Sequence, residues 1–151
     1  MGMKPEDTIS ILNNLIETLK DGQEGFRVAA EDVKNPELKT LFNRLSLERA
    51  QMAGELQQEA IQLGEGEPEK TSSAAGALHR GWIHIKEALA GGGDHAVLSE
   101  CERGEDSAVS NYRDALEADL PQNLRAIIER QYTRVKAAHD EVRDRRDATA
   151  K

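Results

Sequence analysis

Val97-Leu98-Ser99-Glu100-Cys101-Glu102-Arg103-Gly104-Glu105-Asp106-Ser107-Ala108-Val109-Ser110-Asn111-Tyr112 is the stretch on which the fold reading turns. At helical spacing its inward stripe runs Leu98, Cys101, Glu105, Ala108, Tyr112 and on to Ala115. That is the i, i+3, i+7 pattern of a bundle helix, with a carboxylate in the middle of the apolar seam. A buried carboxylate is costly unless it is hydrogen-bonded, paired or bound to metal. The remainder of the chain therefore answers one question: what stands opposite Glu105?

Working outward, the same period marks three further long helices. The first is expected over 5–34, opened by Pro5 with Glu6 and Asp7 in its first turn. Its stripe is Ile9, Leu12, Ile16, Leu19, Gln23, Phe26, Ala30, Val33, and Gly22 and Gly25 flank Gln23. Glycines so placed cost about 1 kcal/mol each relative to alanine, and they usually permit a close helix crossing or a local irregularity. Asn35-Pro36 ends this helix and starts the second, expected over 36–63 and stopped by Gly64. Its stripe is Leu38, Leu41, Phe42, Leu45, Glu48, Met52, Leu56, Leu63. The third helix, over 94–118, has Asp94 as its expected cap. Asp119-Leu120-Pro121 leads into the fourth, over 121–147, with the stripe Leu124, Ile128, Gln131, Val135, Ala138, Val142.

Between the second and third helices, residues 64–73 form a polar loop, and a shorter connector helix is expected over 73–90 before Gly91-Gly92-Gly93. The two tight joints make antiparallel hairpins. The crossover of about 30 residues is long enough to travel the length of helices that span about 38–45 Å, so the second and third helices should run parallel. The expected fold class is all-α: a ferritin-like four-helix bundle with a short connector helix, as a single domain over 1–151. The alternative is an up-down-up-down bundle with the extra helix capping one end.

Composition agrees and excludes other classes. The 151 residues are 3% aromatic and 32% charged, as long helices are. A net charge of −8 argues against nucleic acid or an anionic membrane as the main partner. No signal-like apolar core or membrane-length apolar run is seen, and the single Cys101 excludes an intrachain disulfide. A cytoplasmic location is expected.

The polar interruptions Gln23, Glu48, Glu105 and Gln131 each fall near a helix midpoint, and a shared polar core layer is expected from them. This is the level at which ferritin-like bundles hold two metals, using single glutamates from two helices and Glu-x-x-His from the other two. Here the counterparts read Glu48-Arg49-Ala50-Gln51 and Glu129-Arg130-Gln131-Tyr132, with no histidine in either. A metal site is accordingly disfavoured. Its candidate ligands would be Glu24, Glu48, Glu102, Glu105 and Glu129, with Glu17 as a further single carboxylate. Three readings stay open: a hydrogen-bonded layer helped by Arg49 or Tyr132, side chains that snorkel to water at the stripe edge, and a di-iron or di-manganese centre. Of the other candidates, His79 and His84 lie on different faces of the connector. His139 reads as structural, Cys101 as a small core residue, and Trp82 as a packing anchor, or as a partner contact if exposed.

Four stretches together resemble a family of small bacterial ferritin-like proteins classed as a domain of unknown function: LIETLKDGQEGFRVAAEDVKNPELKTLF (15–42), ALHRGWIHIKEAL (77–89), ECERGEDSAVSNYRDAL (100–116) and ERQYTRVKAAHDEVRDRRD (129–147). The resemblance implies a ferritin-like bundle and brings no established activity. The wider superfamily's habits make homo-oligomerisation an open expectation. The function expected is therefore non-catalytic, a binding or stress-associated bundle with no cofactor. The alternatives are a two-metal oxidase or storage protein, and an interaction adaptor using the connector helix.

Overall fold

The computed structural model describes residues 4–64 and 93–149. They form four helices: α1 (Pro5–Asp32), α2 (Pro36–Gln62), α3 (Gly93–Leu116) and α4 (Gln122–Thr149). Each expected boundary of the four long helices is met within two residues. The expected connector helix, with His79, Trp82, His84 and Ile85, lies outside the described residues.

The joints follow local chemistry. Pro5 and Pro36 each occupy the first helical turn, where a missing N–H costs nothing. Asn35 caps α2 by accepting the Glu37 amide at 2.8 Å. Gly64 and Gly93 take φ of 100° and 70°, values that favour glycine. Asp94 departs from its expected role as cap of the third helix. It lies inside the first turn of α3, and its carboxylate accepts the Lys34 and Asn35 amides at 3.0 and 3.1 Å. It thus ties the start of α3 to the α1–α2 joint. At the opposite end, Arg125 donates to the carbonyls of Leu116 and Ala118 at 2.9 and 2.6 Å, satisfying the last turn of α3.

Ion pairs across the α2–α4 seam establish the topology. Glu37, Arg44, Glu48 and Glu55 of α2 pair in turn with Arg145, Glu141, Arg134 and Arg130 of α4. The numbers rise along one helix as they fall along the other, so α2 and α4 are antiparallel. The short α3–α4 joint reverses the chain again, so α2 and α3 are parallel, on a diagonal of the bundle. The hydrogen bond from Asn111 to Thr18 at 2.9 Å and the Asp94 tether run α1 antiparallel to α3. This is the ferritin-like arrangement with one long crossover.

The core is divided. One apolar cluster gathers Leu12, Ile16, Leu19, Leu56, Tyr112 and Ile128. The other gathers Phe26, Phe42, Leu45, Leu98, Cys101 and Val142. Between them lies a charged layer.

Candidate functional site

The residue opposite Glu105 is Arg49. Both side chains are 0% exposed. The pairing is bidentate: Arg49 Nη1 donates to Glu105 Oε2 at 2.8 Å, and Nη2 donates to Oε1. The planar guanidinium matches the carboxylate fork, the geometry in which such a pair best offsets the cost of removing both charges from water. Burial opposes the Arg49 charge, but the Glu105 carboxylate outweighs it and holds the guanidinium above its ordinary value. Arg49 Cζ also lies 5.4 Å from the centroid of the Phe26 ring, which stacks on Phe42 at 5.9 Å. The Arg49 Nε donor has no hydrogen-bond partner among the described residues.

Gly22 makes the space for this pair. A Cβ built there would lie 2.9 Å from Arg49 Nη1. The expected close crossing at Gly22 and Gly25 thus has a particular cause at Gly22, a buried guanidinium lying against the backbone of α1.

A second polar level lies seven residues further along α3, about 10 Å away. Tyr112 Oη donates to Gln131 Oε1 at 2.8 Å, and Gln131 Nε2 donates to Met52 O at 3.2 Å and Glu55 Oε1 at 2.8 Å. Burial pushes the Tyr112 hydroxyl well above its ordinary value. For Glu55, burial works upward, but hydrogen bonds from Arg130 and Gln131 outweigh it and hold the carboxyl below its usual value.

The four expected layer residues therefore do not share one slab. Glu105 and Gln131 are fully buried, on separate levels. Glu48 is not in the core: it lies at the α2–α4 edge, paired with Arg134 at 3.1 Å. Gln23 is half-buried, with Gly22 on the layer side of the helix. In both corrections the neighbouring residue takes the inward position. Leu63, expected in the stripe, is half-buried and packs against the first apolar cluster, to which the fully buried Ala60 also belongs.

The signal for Arg49 lay in the heptad. Phe42, Arg49 and Leu56 are spaced by seven, as are Leu38, Leu45 and Met52. An arginine on that seam is normally excluded, because arginine is almost never fully buried unless paired.

The metal-ligand candidates are likewise dispersed. Glu24 pairs with Arg27 on the surface of α1, Glu17 is half-buried on the same helix, and Glu129 is exposed on α4. Gln51 is exposed, and Tyr132 accepts a hydrogen bond from Arg113 at 3.1 Å. The residues at the bundle centre do not fit a two-metal centre. The central carboxylate is already held on both oxygens, and the group holding it is a cation that repels other cations.

A different cluster forms at the α3–α4 edge. Glu102, Asp106 and His139 bring one ligand atom each within 4.8 Å of one another. His139 Nε2 lies 2.7 Å from Asp106 Oδ1 and 3.8 Å from Glu102 Oε2, and Nδ1 lies 3.0 Å from Asp140 Oδ1. Arg146 donates to the other Glu102 oxygen. Hydrogen bonds from His139 and Lys136 hold the Asp140 carboxyl below its ordinary value. The i, i+4 spacing of Glu102 and Asp106 was legible in the sequence, but the approach of His139 was not. Cys101, one residue before Glu102, is fully buried, and burial with Glu105 and Glu100 nearby pushes its thiol well up.

No helix among the described residues is long and apolar enough to cross a membrane. The fold is similar to that of a Dps1 mutant from Mycobacterium smegmatis, with a TM-score of 0.76, 16% identity, and coverage of 93% of this chain and 95% of that one. At that identity the likeness concerns the fold alone. No curated protein matches the chain. Residues 7–118 match the family described as a domain of unknown function (DUF2383), so the chain belongs to that family.

Proposed function

We propose that this protein is a non-catalytic ferritin-like bundle, one domain over 1–151, in which a guanidinium stands at the bundle centre where a metal pair would otherwise neutralise the carboxylates. The observation that carries the reading is the Arg49–Glu105 pair, bidentate and fully buried. Such a centre offers no open coordination position and no exposed nucleophile. Its role would be to set the register of the helices, since a misaligned bundle strands one charge in an apolar core. Function would then lie on the surface, through binding or assembly. The net charge of −8 supports partners other than nucleic acid or anionic lipid, and a cytoplasmic setting suits the reduced, buried Cys101. Elemental analysis of protein purified without chelator tests the reading. Well under two iron or manganese atoms per chain is expected, and a value near two would overturn it.

One observation favours a second reading, a single divalent cation at the α3–α4 edge. Both nitrogens of His139 face carboxylate oxygens, so the neutral ring has one N–H for two acceptors. Asp140 on Nδ1 would orient the ring, leaving Nε2 to a cation shared with Asp106 and Glu102. Titration calorimetry with Mn²⁺ should then give one site per chain that is lost in His139→Ala. Heat changes that His139→Ala leaves intact would remove this reading.

A further inference from the structure

The outer face of α2 differs from that of every other described helix. Thr40, Asn43, Leu47, Gln51, Gly54, Gln58 and Ile61 follow one another at steps of three and four along the side turned from the core, and none is charged. The outward residues of α1 include Glu6, Arg27 and Glu31, those of α3 Arg103, Asp106 and Arg113, and those of α4 Glu129, Arg130 and Arg134. In a chain with 32% charged residues, a surface helix ordinarily solvates its outer face with charge. The large hydrophobics exposed among the described residues also fall on this stripe, Leu47 at 62% and Ile61 at 43%.

Gly54 stands midway between them, seven residues from each. A Cβ there would meet nothing within 4 Å among the described residues, so no contact within the four helices explains the glycine. A glycine in a helix interior costs about 1 kcal/mol relative to alanine. Its usual compensation is close approach of another backbone, and here that approach has to come from beyond the four described helices.

The spacing is self-complementary. If a second copy of α2 crosses antiparallel with the two-fold axis at Gly54, Leu47 of one copy meets Ile61 of the other, twice, with the glycines at the closest point. Two chains of net charge −8 repel each other, and a neutral stripe is where they can meet without bringing like charges together. We propose that this face of α2 is an isologous contact between two copies of the chain. The stripe is about 30 Å long and one helix wide, so roughly 300 Å² per copy is covered, in the range of weak, transient interfaces.

Sedimentation equilibrium over micromolar concentrations tests the proposal. A reversible dimer is expected, with Leu47→Glu and Ile61→Glu each shifting the protein to monomer while far-UV circular dichroism stays unchanged. Combining Leu47→Glu with Ile61→Lys should restore the dimer, because the new charges face each other across the axis. Gly54→Cys should form an intermolecular disulfide under mild oxidation, since the chain's one native thiol, Cys101, is buried. A monomer throughout the range overturns the proposal, as does a dimer indifferent to both single variants. So does a monomer in which Leu47→Glu lowers the unfolding midpoint, which would assign the face to residues 65–92 of the same chain.

Discussion

Glu102 and Glu105 are the same residue type, one helical turn apart on α3, and they have opposite fates. Glu105 is fully buried, held on both oxygens by Arg49, with Gly22 opening the space and Phe26 beneath the guanidinium. Glu102 lies at the α3–α4 edge, where one oxygen accepts from Arg146 and the other approaches His139. Three residues turn the helix by about 300°, which leaves the two side chains about 60° apart around its axis, enough to separate core from edge. Buried, a carboxylate must have one committed partner. At the edge it can share cations, exchange them and remain hydrated. The closed pair suits a structural role, whereas the groups of the edge cluster can exchange partners.

The comparison is broken most directly at Glu105. Glu105→Leu leaves an unpaired guanidinium in the core, and the expected loss is about 3–5 kcal/mol in denaturant unfolding. Replacing both members, Arg49→Met with Glu105→Leu, should recover most or all of that loss and can exceed wild type, because the desolvation cost disappears with the pair. A single Glu105→Leu variant as stable as wild type would mean that the pair has no structural role.

Gly22→Ala sharpens the same point. Helix propensity alone favours alanine by about 1 kcal/mol. The added methyl instead meets Arg49 Nη1, which the bidentate pair prevents from moving aside, so a net loss of about 1–2 kcal/mol is expected. In the Arg49→Met, Glu105→Leu background the same substitution should become neutral or stabilising. That reversal, read as a double-mutant cycle, assigns the glycine to the guanidinium and not to helix crossing in general. An equal effect in both backgrounds would deny the assignment.

Glu102→Gln carries the smallest expected change. Its partner Arg146 is about one-third exposed, and pairs of that kind contribute under about 1 kcal/mol, with salt reducing the difference further. A loss comparable to that of Glu105→Leu would erase the distinction between the two glutamates.

Much of this molecule follows from local chemistry alone. Pro5, Asn35-Pro36, Gly64 and Pro121 punctuate the chain where the backbone has to turn, and the 3.6-residue period marks four helices of matched length. Two short joints and one long crossover lead to the parallel α2–α3 diagonal, because connection length limits which helix ends can be neighbours. The stripe of α3 also placed Glu105 in the core, since each of its flanking positions is apolar. What tertiary structure alone decided is which of two adjacent residues enters the core where the stripe is ambiguous. A period of 3.6 admits both the third and the fourth residue after Leu45, and burial of an arginine is favourable only if a carboxylate on another helix arrives at the same height. Arg49 therefore replaced Glu48, and Gly22 took the inward place expected for Gln23. The same reason hid the His139 cluster, whose members are 33 and 37 residues apart in sequence and meet only once α3 and α4 are packed.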